Sequence, residues 1–318
     1  MSGGGAKRHV LAALLFAAGL ISWRFAGFGG QDRLGEIAVW AVFAMSLDIL
    51  VGYAGMVSLG HALFYGLAAY AVAALTRFFG WPPGAAILAA IVLAGLAAAV
   101  LGLVVVRVGG VFFIMITLAL GQMGWAYVLR SHTFGGFSGL SDVPQIDLDA
   151  LGLTLMNPAD FALVGLLVAG AVYLALAWLM ASPFGHMLVA LHQNEGRARA
   201  LGMPVLRYKV AAFAIAGAVA GLAGTMAAQR TQLVTPDALV WTASGEVLVM
   251  VILGGMGTLS GPVAGAALWV VLRDAVSAHT PYWMLAMGLF FVAVVLFADN
   301  GIFGLLRPRR ARAADGDA

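Results

Sequence analysis

The sequence predicts an all-α polytopic integral membrane protein of about eight to ten transmembrane helices, some of them broken at glycine-rich seams. Three observations carry that expectation. Of the 318 residues, 63% are hydrophobic and only 10% charged, against about 45–50% and about 25% in soluble domains. Apolar runs of 17 to 23 residues recur along almost the whole chain, and about 20 such residues at helical rise match a hydrocarbon core about 30 Å thick. Ala and Leu fill those runs without the apolar/polar alternation of an outer-membrane barrel.

Taken in order, the runs lie at 10–27, 36–53, 57–76, 84–106, 110–129, 160–181, 210–228, 241–257, 260–278 and 283–303. Two seams join neighbouring runs, Gly52 to Gly60 and Gly254 to Gly261. Each reads either as a tight turn or as a break within a helix. There is no cysteine, which excludes disulfides, thiolate metal sites and a Cys nucleophile. The net charge of +3 and pI near 9.4 suit a membrane protein with basic loops rather than a nucleic-acid binder.

Charge placement predicts the topology. Lys7 and Arg8 precede the first run, Arg197, Arg199, Arg207 and Lys209 occupy the 182–209 loop, and Arg307, Arg309, Arg310 and Arg312 follow the last run. The 131–159 loop holds no Lys or Arg but carries Asp142, Asp147 and Asp149. Lys and Arg collect on the cytoplasmic side, and six runs, then four, separate the basic clusters. The expected organisation is a cytoplasmic tail 1–9, a single transmembrane domain 10–303 with a cytoplasmic loop 182–209 and an external loop 131–159, and a cytoplasmic basic tail 304–318. Residues 1–22 have the layout of a signal peptide as well, although Ser22-Trp-Arg-Phe25 is too bulky for a good cleavage site, which favours a retained helix.

The 182–209 loop has the pattern of a built unit. Met187, Leu191, Asn194, Ala198 and Leu201 share one helical face. Gly196 is expected to split the segment into two short helices, and Gly202 with Pro204 to stop it. On residue chemistry alone such a unit either docks into a groove on a soluble partner or lies along lipid headgroups.

Ser182-Pro-Phe-Gly185, Asn194-Glu195 and Ala200-Leu-Gly202 resemble the ATPase-coupling loop of LivM-type permeases of branched-chain amino acid ABC importers. Three more segments resemble the same family in the same order: Leu47-Asp-Ile-Leu-Val-Gly-Tyr-Ala-Gly-Met-Val-Ser-Leu-Gly-His61, Gly110-Val-Phe-Phe-Ile-Met-Ile-Thr-Leu-Ala-Leu-Gly-Gln122 and Ser244-Gly-Glu-Val-Leu-Val-Met-Val-Ile-Leu-Gly-Gly-Met-Gly-Thr-Leu-Ser-Gly-Pro262. The likeness covers roughly residues 36–305. It departs at Asp48, where the family pattern has a neutral residue, often Asn, and at His192-Gln193, which replace a basic-acidic pair.

The resemblance implies an ABC importer permease. Its partners would be a second related permease, two cytoplasmic ATPase subunits, a periplasmic amino-acid-binding protein and the inner-membrane bilayer. The ATPase-coupling residues it implies are Phe184, Gly185, Leu191, Asn194, Glu195, Arg197, Ala200, Leu201 and Gly202. No Gly-Lys pair occurs anywhere, hence no phosphate-binding loop, so ATP and Mg are expected on the partner ATPases and no cofactor, metal or catalytic residue on this chain.

Ser58, Gly60, His61, Glu246, Gly254 and Gly255 are the candidates for the solute path, since interrupted backbone at membrane depth leaves N–H and C=O groups for a zwitterion. For the glycines, close packing or a tight turn is the competing reading; for His61, a satisfied buried imidazole. Asp48, Glu246, Arg273 and Asp274 fall inside apolar runs, where charge is costly. Asp48 is a possible partner of Arg273 across the bundle, whereas Arg273 and Asp274, about 100° apart on a helix, are expected not to face each other. An ion-coupled secondary transporter needs more buried acids than these, and an intramembrane enzyme needs a constellation that is absent. Within the importer reading, urea or short amides are the alternative solutes.

Overall fold

The computed structural model describes residues 3–149 and 152–297. The end of the last predicted run, the 304–318 tail with its arginines and the first two residues lie outside the described residues. Twelve helices occur among the described residues: α1 (Gly3–Phe25), α2 (Phe28–Asp48), α3 (Ala62–Phe79), α4 (Pro83–Val105), α5 (Val111–Arg130), α6 (Pro158–Ala181), α7 (Pro183–Gln193), α8 (Glu195–Ala200), α9 (Val205–Thr231), α10 (Trp241–Gly254), α11 (Ser260–Ser277) and α12 (Trp283–Phe297). A π-helical turn, Ile49–Tyr53, continues α2. Among the described residues, six helical segments are long and apolar enough to cross a membrane: Phe28–Tyr53, Ala62–Phe79, Pro83–Val105, Val111–Arg130, Pro158–Ala181 and Val205–Thr231.

The punctuation is local chemistry. Gly80, with φ +63°, ends α3 in the left-handed region, and Pro83 opens α4 where its missing N–H costs nothing. Asn157 caps α6, its side chain accepting from the Ala159 amide at 3.2 Å. The run predicted at 57–76 starts late, at Ala62, because residues 54–61 are not helical. The run predicted at 241–257 is only the 14-residue α10, about 21 Å long and too short to span the core alone. A two-stranded antiparallel ribbon, β1 (Leu140–Ser141) with β2 (Leu233–Val234), joins the 131–157 connection to the end of α9. Buried Gln229 clamps that junction: its Oε1 accepts from the Ile146 amide at 2.7 Å and its Nε2 donates to the Pro144 carbonyl at 3.0 Å.

α9 is the mast of the bundle, packing most extensively on α4, α3 and α2. Ala86, Ala90, Ala94, Ala98 and Gly102 form a buried stripe along α4 at four-residue spacing, and Gly217 and Gly221 of α9 lie flush against Ala98 and Ala94. Without a hydrophobic drive between helices in lipid, such small residues let backbones approach and gain dispersion contact. Gly224 is tighter, since a Cβ there would overlap the Tyr65 carbonyl of α3.

Gly224→Ala is therefore expected to cost about 1–3 kcal/mol by overpacking, read as a lowered unfolding midpoint in detergent. Gly245→Ala, whose Cβ would meet open space, should change stability by less than about 0.5 kcal/mol.

Candidate functional site

Three groups of residues stand out, and the first is the α7–α8 unit. Phe184 stacks on Tyr208 of α9, with centroids 5.8 Å apart, and Gly185 sits so close to the Met180 backbone that a Cβ would overlap it. Leu188 and Leu191 are buried, which fixes α7 to the bundle. The break between the helices lies at Asn194, not at Gly196 as predicted: Asn194 is extended and its side chain accepts from the Arg197 amide at 2.8 Å. Asn is a strong N-cap, while Gly196 is accommodated in the first turn of α8. That break rotates the register, so the predicted single face does not persist. Leu191 and Ala198 turn inward, Leu201 is 74% exposed, and Arg197 and Ala200 are exposed beside it. Gly202, at φ +79°, turns the chain toward α9. Glu195 accepts from Arg199 at 2.9 Å and from the buried Lys209 of α9 at 2.6 Å.

The second group is the pair of interrupted helices. Gly60 rests on the Thr117 carbonyl of α5, leaving no room for a Cβ. His61 is fully buried, with Nε2 2.8 Å from Ser46 Oγ and its ring stacked on Phe43 at 5.6 Å. Ser58 is buried beside this stretch of chain. The Ala62 amide, first in α3, donates to Ser244 Oγ at 2.8 Å, so the start of α10 meets the start of α3. At its other end α10 stops at Gly254, and Gly254 packs on the Gly261 carbonyl across a five-residue turn. Gly255, Gly257 and Leu259 in that turn all have positive φ.

Asp48 closes this second arrangement. Its Oδ1 accepts from the Gly257 amide at 2.7 Å and its Oδ2 from the Leu259 amide at 3.0 Å. The predicted pairing of Asp48 with Arg273 is thus wrong: backbone amides freed by the turn satisfy the carboxylate.

Arg273 belongs instead to a third group, an ionic lattice across α2, α9 and α11. Its Nη2 lies 2.7 Å from Glu36 and 3.3 Å from Asp274, contrary to the expectation that neighbours on a helix do not face each other. The 100° offset separates the Cβ atoms, and the long guanidinium bridges it. Arg230 pairs with Asp32 at 2.9 Å and Glu36 at 3.5 Å, and Arg33 with Asp274 at 3.0 Å. Glu246, half-buried on α10, makes no ion pair in this lattice but lies close enough to feel the charges of Arg273 and Glu36.

Comparison with known proteins assigns a family. Residues 32–298 match the profile of the family described as "Branched-chain amino acid transport system / permease component". The chain belongs to that family. This permease is 29% identical to the high-affinity branched-chain amino acid transport system permease protein LivM of Escherichia coli, over 95% of this chain and 76% of that one. It is 25% identical to a probable LivM permease of Methanocaldococcus jannaschii, over 86% and 90%. A shorter likeness, 30% over 41% of this chain and 43% of the relative, links it to the ribose import permease protein RbsC of Haemophilus influenzae.

In this permease several structural residues escaped the sequence reading. Glu36 and Arg230 sit at the margins of predicted runs, where charges are ordinary, and nothing local marks them as partners. His192, which lies 3.2 Å from the Gly52 carbonyl, was legible only as a departure from the family pattern.

Glu36 has 16% of its side chain exposed and faces two arginines at 21%, whereas Asp32 is 48% exposed. Glu36→Gln should cost about 1–3 kcal/mol because it strands buried charge, and Asp32→Asn less than about 1 kcal/mol. Thermal unfolding in detergent measures both, and equal losses would contradict the lattice.

Proposed function

We propose that this chain is the membrane-spanning subunit of an ATP-driven importer for branched-chain or related small amino acids in the bacterial inner membrane. Its energy source is a separate ATPase that docks on the α7–α8 unit. The observation that carries this reading is the construction of that unit. Two short helices are held to the bundle through Leu188, Leu191 and the Glu195–Lys209 pair, while Leu201, Arg197 and Ala200 are left outward. A loop lying passively on headgroups has no need of an ion pair to a buried lysine of α9 to fix its pose; a surface that receives a mechanical push does.

Orientation follows from charge. The basic 182–209 segment and both termini face the cytoplasm, and the 131–159 segment faces the periplasm. There a binding protein would deliver the solute, with a second related permease completing the path. The interrupted stretch around Ser58, Gly60 and His61 and the Gly254–Gly255 turn, packed against one another through α10, are the places where freed backbone can meet a zwitterion. Glu246 lies on the helix that joins them. The family shares the import of small polar solutes, and selection among amino acids and their short amides rests with the binding protein. ATP and Mg are held by the partner subunits, and this chain binds neither.

Affinity purification of the intact chain from native membranes tests the docking reading. The unaltered chain should bring down ATPase subunits and a second permease. Leu201→Glu, at an exposed position that no folding contact requires, should retain the second permease and reduce ATPase recovery at least about tenfold, as loss of an interface anchor does. Undiminished ATPase recovery with Leu201→Glu would move the dock elsewhere.

A further inference from the structure

The end of α7, the π-helical turn of α2 and the 255–259 turn are joined by a continuous series of contacts. π-Helical turns are rare and mostly occur at functional positions, because the extra residue releases backbone groups from the i→i−4 ladder. Here the bulge leaves the Gly52 carbonyl facing His192, the penultimate residue of α7, at 3.2 Å from its Nδ1. A carbonyl only accepts, so Nδ1 carries the proton. The same imidazole lies against Gly55, where a Cβ would come within 2.7 Å of His192 Cδ2 and where φ is +68°. His192 therefore grips the bulge and the start of the irregular chain together.

Gly52 is also packed on Gly257 so closely that a Cβ at 52 would overlap both the Gly257 amide and the Asp48 carboxylate. Asp48 holds the amides of Gly257 and Leu259. Leu259 precedes α11 at φ +57°, a conformation strained for a residue with a side chain, and the carboxylate restrains it there. One residue of α7 is thus connected, through two glycines and one buried carboxylate, to the hinge of the α10–α11 hairpin.

We infer that His192, Gly52 and Asp48 are positioning residues that convey displacement of the α7–α8 unit to the 255–259 turn, with the π-helical turn as the rigid link. This rests on the proposed docking of an ATPase at α7–α8. Asp48 and His192 then stand at the two ends of one mechanical path. A carboxylate offers two acceptor oxygens where an Asn side chain offers one, so Asp48 restrains two amides of the turn at once.

The test uses the whole importer, purified with its ATPase subunits and binding protein and reconstituted in proteoliposomes, with leucine uptake and ATP hydrolysis measured together. His192→Ala and Asp48→Asn are expected to keep the ATPase subunits bound and hydrolysis within about twofold, while leucine moved per ATP falls about tenfold. His192→Gln, which restores a donor, should recover most of the ratio. The double variant should be no worse than the poorer single one, because both act on one path. His192→Ala at an unchanged leucine-to-ATP ratio, or a double variant whose losses multiply, overturns the proposal while leaving the docking reading intact. Gln193→Ala, the exposed neighbour, should match the unaltered chain; an equal loss there also overturns it. If the unaltered chain carries no ATPase subunit, the docking reading itself fails and this proposal with it.

Discussion

Backbone amides inside a bilayer must find partners within the protein, and the hydrogen bonds from Gly257 and Leu259 to Asp48 are where this chain meets that demand most severely. Each unsatisfied group in hydrocarbon costs several kcal/mol, so two interrupted helices can exist only where side chains replace the lost ladder. Asp48 supplies two acceptors for the 255–259 turn, and Ser244 Oγ supplies one for the first amide of α3. Without them neither irregular segment could lie within the bundle, and α10 could not run between the two breaks.

The surrounding helices are arranged to make those breaks tolerable. α9 gathers α2, α3 and α4 by close approach at Gly217, Gly221 and Gly224, which leaves little freedom in the walls around the seams. The Glu36–Arg230–Arg273 lattice ties α2, α9 and α11 together at the end of the bundle opposite the π-helical turn. On the inferred path, α2 is anchored at one end and addressed at the other. Such a bundle is suited to switching between discrete packings rather than deforming continuously.

The division of labour in the family follows from the same physics. Between the long apolar helices α6 and α9 the chain presents a short helical unit, α7–α8. On the proposed docking, work enters through that unit. Its fixed pose, made by Leu188, Leu191 and the Glu195–Lys209 pair, lets a push be passed on instead of being absorbed by a flexible loop.

The sequence by itself determined the solvent, the helical class, the positions of nearly all the helices and the existence of a compact unit at 182–209. Hydropathy, helix caps and glycine breaks are sums or patterns over neighbouring residues, and a single chain reports them without knowing its fold. Only the tertiary structure decided that Asn194 rather than Gly196 divides the unit, that Leu201 points outward, and that 241–254 is a short helix joining two breaks. It also decided every partner of Asp48, Glu36, Arg230 and His192. Those pairings link residues up to 237 positions apart. Their energy depends on distance and burial in three dimensions, for which no local pattern in the sequence is a proxy.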